Sequence, residues 1–159
     1  NISRSYLLFC KMFATGIVST IQASVFLLIA FFYGIDIPTL GYFLAIPVIL
    51  FTSIILNAFA LFISSVIKQL ENFASVMNFV IFPMFFLSSA LYPLWKIKDS
   101  SLFLYQVCVL NPFTYIVEFI RFTLYLKFEL NSFLIIIAIF IITLSLAFIG
   151  YSSKNVLKR

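Results

Sequence analysis

Residues 100–117 read SSLFLYQVCVLNPFTYIV, and the number of membrane crossings turns on them. The stretch carries no charge and is nearly as long as a spanning helix. It is more polar than its neighbours, with Ser100, Ser101, Gln106 and Thr114, and Asn111-Pro112 breaks it late. Asn caps helices well, and Pro at the first helical position gives up no N–H that the helix needs. The run therefore predicts a break followed by a new helix over about 113–126, not one straight crossing.

On either side, charges cut the chain into runs 12–35, 37–67, 72–95 and 130–153. A spanning helix needs about 20 mainly apolar residues. All four runs suffice, and their cores predict spans at about 11–33, 42–67, 73–93 and 130–151. One chain end carries Arg4 and Lys11, the other Lys154, Lys158 and Arg159. Both read as cytoplasmic by the positive-inside rule, which requires an even number of spans. The loops agree. The first, 34–40, holds Asp36 and no cation, and the tight second turn holds Lys68, Gln69 and Glu71. The third, about 94–129, sets Lys96, Lys98, Arg121 and Lys127 against Asp99, Glu118 and Glu129.

The expected fold is one all-α transmembrane domain over 1–159. It is a polytopic membrane helix bundle of four transmembrane helices, with an outer interfacial or re-entrant helical segment at about 100–127. Membrane lipid is its first partner.

Composition supports this and removes several chemistries. Hydrophobic residues make up 64% of the chain and charged ones 9%, against about 25% charged in soluble domains. That excludes a soluble globule and a disordered chain. The net charge is +5, but the basic residues sit at the edges of apolar runs. They set orientation, and nucleic acid is not an expected partner. There is no histidine, and Cys10 and Cys108 form no CxxC pattern, so no catalytic or metal site is expected. Four glycines make no phosphate loop. The chain is expected to hold no cofactor. If ATP drives it, another subunit binds the ATP.

On the helix over 113–126, Thr114, Glu118, Arg121 and Tyr125 share one face, and Phe113, Ile116, Val117, Ile120 and Leu124 take the other. This is an amphipathic helix lying at or dipping into the outer interface. Glu118 and Arg121 are spaced to pair. Three roles stay open for them: solvating that face, lining an exit path or gate, or touching a dimer partner. Upstream, Tyr92 and Trp95 suit the headgroup level.

Within the spans, Gly16, Thr20 and Ser24 recur every four residues, a face that permits close helix approach. Ser53, Asn57, Ala60 and Ser64 form a similar stripe, and Asn72, Ser75 and Asn78 lie near the cytoplasmic end of the third span. Asn57 and Asn78 are expected to join helices, and Pro83 to kink its own. No ionisable residue lies deep in a span, which argues against ion-coupled transport. No paired acids or nucleophile–base set points to an enzyme.

Two stretches carry a family resemblance: FPMFFLSSALYPLWKI at 82–97 and NPFTYIVEFIR at 111–121. Together they resemble the C-terminal region of ABC-2 type permeases. In that family a helix with Phe and Pro leads to a small-residue turn. A short outer segment, an Asn-Pro-hydrophobic-Thr/Ser-Tyr motif, an Arg-bearing helix, a last span and a basic tail follow. Ile2-Ser3-Arg4, then Leu8, Lys11 and Gly16, resemble the stretch where the coupling helix enters the third span. Ser88 or Ser89 stands where the family usually has Gly. Family members have six spans, so the resemblance implies that two spans and most of the coupling helix precede Asn1.

The resemblance implies a permease subunit of an ABC exporter in the bacterial plasma membrane, both termini cytoplasmic. It implies pairing as a dimer and a separate ATP-binding cassette subunit that hydrolyses ATP. Ile2, Ser3 and Arg4 would lie near that subunit, and Asn111, Pro112, Glu118 and Arg121 would shape an outer gate. An apolar or amphipathic cargo fits the aromatic content. The alternative function is a structural or assembly subunit without transport activity.

Overall fold

The structure, a computed structural model, describes residues 4–67 and 70–151. Among them lie seven helices and no strand: α1 (Arg4–Phe32), α2 (Thr39–Val66), α3 (Leu70–Phe86), α4 (Leu94–Ser100), α5 (Leu102–Leu110), α6 (Pro112–Leu124) and α7 (Leu130–Tyr151). The fold is an all-α helix bundle. Lys68 and Gln69 of the second turn, and Lys154, Lys158 and Arg159 of the tail, lie outside the described residues.

Among the described residues, three helices are long and apolar enough to cross a membrane: Tyr6–Phe32 in α1, Thr39–Ser65 in α2 and Leu130–Ile149 in α7. α5 and α6 would qualify together, but they are bent by 90° at their break. α3 is shorter than expected and stops at Phe86 instead of near 93. Its end has a local cause. The Ser88 hydroxyl donates to Phe85 O at 2.6 Å and accepts from Ala90 N at 3.2 Å. A serine that engages the nearby main chain in this way turns it out of the helix.

α1 ends in a Schellman motif. Gly34 has φ 70°, and Gly34 N and Ile35 N donate to Phe31 O and Ala30 O. Glycine meets the left-handed requirement without a Cβ clash. α2 then returns antiparallel and becomes the central helix, packing on α1, α6 and α7. One apolar cluster joins Leu8 and Met12 of α1 to Ile54 and Ala58 of α2 and Ala147 of α7. A second joins Ile55 of α2 to Ile116 and Phe119 of α6 and Ile136 of α7. A Cβ added at Gly16 would meet Ile54 Cγ1 at 3.0 Å, so glycine sets the α1–α2 spacing there. Large apolar side chains such as Phe26, Phe32 and Phe79 point outward, which lipid tolerates as well as a core does.

α6 runs along the first half of α2 in the opposite sense. Leu124 at its end lies against Gly41, while Ile116 meets Ile55. Fourteen residues of α2 separate those contacts, about 21 Å of helix. The break at Asn111-Pro112 is therefore set well down the bundle.

Candidate functional site

A helix end inside a membrane protein exposes carbonyls that water does not reach, and each must find a donor. Two such ends meet here, the C-termini of α3 and α5. The NPFTY stretch satisfies both. Asn111 accepts from Phe113 N through Oδ1 at 3.0 Å, capping α6. Its Nδ2 donates to Met84 O at 2.7 Å and Leu87 O at 2.8 Å, closing the end of α3. The Thr114 hydroxyl donates to Cys108 O at 2.7 Å and the Tyr115 hydroxyl to Val109 O at 2.9 Å, closing the end of α5. Pro112 has no N–H to add to the unpaired groups. One short motif thus welds three helix ends.

Arg121 completes the weld. Its Nη1 pairs with Glu118 Oε1 at 2.6 Å, and its Nη2 donates to Ser89 O at 2.6 Å. Glu118 is 6% exposed and Thr114 is fully buried. Thr114 and Glu118 on the polar face of α6 are therefore turned inward, toward the Ser88–Ser89 turn and α5, while Tyr125 stays exposed. This overturns the solvated-face reading. The carboxylate is buried, but its cation reaches a main-chain carbonyl as well, which is how a buried pair stays tolerable.

Of the four expected gate residues, Asn111 and Arg121 both reach carbonyls in the stretch 84–89, Glu118 pairs with Arg121, and Pro112 opens α6. Ile2 and Ser3 lie outside the described residues, and Arg4 opens α1 without a described side chain. Gly16, Thr20 and Ser24 do line one stripe of α1, with Thr20 bonded to Gly16 O and Ser24 to Thr20 O. Asn57 and Asn78 are not brought together. Asn57 Nδ2 is buried with no partner among the described residues, and Asn78 is exposed. Pro83 lies within α3.

Sequence reasoning missed Gly41. A Cβ there would overlap the Leu124 carbonyl, so only glycine lets α2 and α6 meet. It also missed that α6 ends in a Schellman motif on a leucine. Leu126 has φ 57°, and Leu126 N and Lys127 N donate to Thr123 O and Phe122 O. No sequence signal marks that site, since glycine or asparagine is the usual occupant. Among the described residues, no group of three or more His, Cys, Asp or Glu could hold a metal. The arrangement cross-bonds the ends of α3 and α5 to α6.

The sequence pattern of the ABC-2 type transporter family matches residues 1–125. The chain belongs to the ABC-2 type transporter family. It is therefore an integral membrane component of ABC transport, and the match takes in α1 through α6, leaving α7 outside. No curated protein and no solved structure matches the chain. In this ABC-2 chain the welded joint falls inside the matched region.

Proposed function

We propose that the chain is the permease portion of an ATP-driven exporter in the bacterial plasma membrane, moving an apolar or amphipathic cargo. Family membership over residues 1–125 carries this reading. A separate ATP-binding cassette subunit hydrolyses the ATP, engaging the chain near Ile2, Ser3 and Arg4. Two permeases pair, and both termini face the cytoplasm. The joint of Asn111, Pro112, Glu118 and Arg121 forms the outer gate region and moves as one body, because its helix ends are cross-bonded. Gly16, Thr20, Ser24 and Pro83 adjust how the spans pack.

The test is purification of the native full-length protein from membranes in mild detergent. Partners are identified by mass spectrometry, and ATP hydrolysis is assayed. Recovery of an ATP-binding subunit whose activity depends on the permease is expected. Stable recovery of other membrane proteins with no ATPase would replace the exporter with an assembly subunit.

A further inference from the structure

Two chambers of about 350 and 280 Å³ adjoin along α3 and share Leu56, Phe59, Met84 and Phe113. The first lies between α2 and α3 beside Asn57, Met77 and Ile81, and the second reaches α7 at Ile139 and Thr143. Their linings contain no charged residue. The Thr143 hydroxyl is already bonded to Ile139 O and Phe140 O. The polar group left over is the Asn57 side-chain amide, whose Nδ2 is buried and has no partner among the described residues. Two further crevices between α1 and α2 are both lined by Ser24, whose hydroxyl is bonded to Thr20 O.

An unsatisfied amide in a low-dielectric crevice is costly. Asn57 lines the first chamber, and a side-chain amide can both donate and accept. The matching ligand head does both and carries no charge, because no counter-ion lines the site. Two adjoining apolar chambers behind it suit a tail. We propose that the α2–α3 crevice binds a single-chain amphipath with an uncharged donor–acceptor head, a protonated fatty acid, whose carboxyl pairs with Asn57 and whose tail runs toward Thr143. This deepens the exporter reading, and rests on it only in making the amphipath a cargo.

The test reconstitutes the full-length protein in phosphatidylcholine vesicles with palmitic acid carrying a photoactivatable diazirine in its chain. Labelled residues are mapped by mass spectrometry. Labelling is expected at residues 56–60, 77–85 and 113. Unlabelled palmitic acid should compete at least about fivefold better than methyl palmitate, which lacks the donor. Asn57→Leu should cut crevice labelling by about fivefold or more, while labelling of Phe26 and Phe32 on α1 holds constant. Ala60→Phe, which keeps the amide but fills the chamber beside it, should do the same. Equal labelling of the crevice and α1, or labelling indifferent to both substitutions, overturns the proposal. If labelling fails while an ATPase subunit co-purifies, the site falls and the exporter stands. Labelling without an ATPase supports the site and removes the exporter.

Discussion

The α1–α2 hairpin and the α3–α5–α6 joint sit in one bundle and are held by different forces. In the hairpin, long helices satisfy their own backbone, and even the hydroxyls of Thr20 and Ser24 bond within α1. Contact there is a matter of shape, set by Gly16 against Ile54. In the joint the backbone is broken, and the carbonyls of Met84, Leu87, Ser89, Cys108 and Val109 each take a side-chain donor. Within a membrane, polar side chains are needed where the helix stops. Where it continues they are dispensable.

The largest effect is expected where the two regions meet. Gly41→Val drives a side chain into the Leu124 carbonyl, which is main chain and cannot rotate away. A loss of about 3 kcal/mol is expected, seen as protein that no longer stays monodisperse on heating in mild detergent. An unchanged melting profile would mean that α6 does not lie on α2.

Arg121→Ala strands the buried Glu118 and leaves Ser89 O without its donor. The expected cost is about 2 kcal/mol after allowing for the partial exposure of the guanidinium. Adding Glu118→Gln should recover part of it in the same melt, because the unpaired charge is gone. A double variant no better than the single one would show that the pair is not the source.

Asn111 separates capping from clamping. Asn111→Asp keeps the cap on Phe113 N but removes both donors to α3. It should destabilise at least as much as Asn111→Ala, by about 1–2 kcal/mol. Hydrogen exchange at Leu87–Ala90 should speed up in both. Protection surviving in the aspartate variant would make the cap the whole role.

The two Schellman ends form a smaller mirror test. Leu126→Gly should stabilise by about 1 kcal/mol, and Gly34→Leu should destabilise by a similar amount. Smallest of all is Ser24→Ala in the hairpin, expected within about 0.5 kcal/mol of no change. A larger loss there would erase the contrast between the regions.

Much of the joint was legible in the chain. Asn111-Pro112 marked a helix start, and the spacing of Glu118 and Arg121 marked a pair, because both depend on neighbours in sequence. The direction of that pair was not legible. Periodicity places Thr114, Glu118 and Arg121 on one face but does not say whether water or protein covers it. The partners, Ser89 and Cys108, come from other elements. Gly41 was equally silent, since its reason lies 83 positions away in Leu124. The shortness of α3 came from Ser88 competing for the main chain, within a run that hydropathy alone extends to 93.

By itself, the sequence determined the membrane class, the all-α architecture and the break at Asn111, because the bilayer admits few backbones and punishes charge strongly. Only the tertiary structure decided that Thr114 and Glu118 of α6 turn inward, that Gly41 admits Leu124, and that Asn57 Nδ2 is left without a partner among the described residues. Those outcomes depend on which distant carbonyl, side chain or void a residue meets, and packing alone brings such groups together.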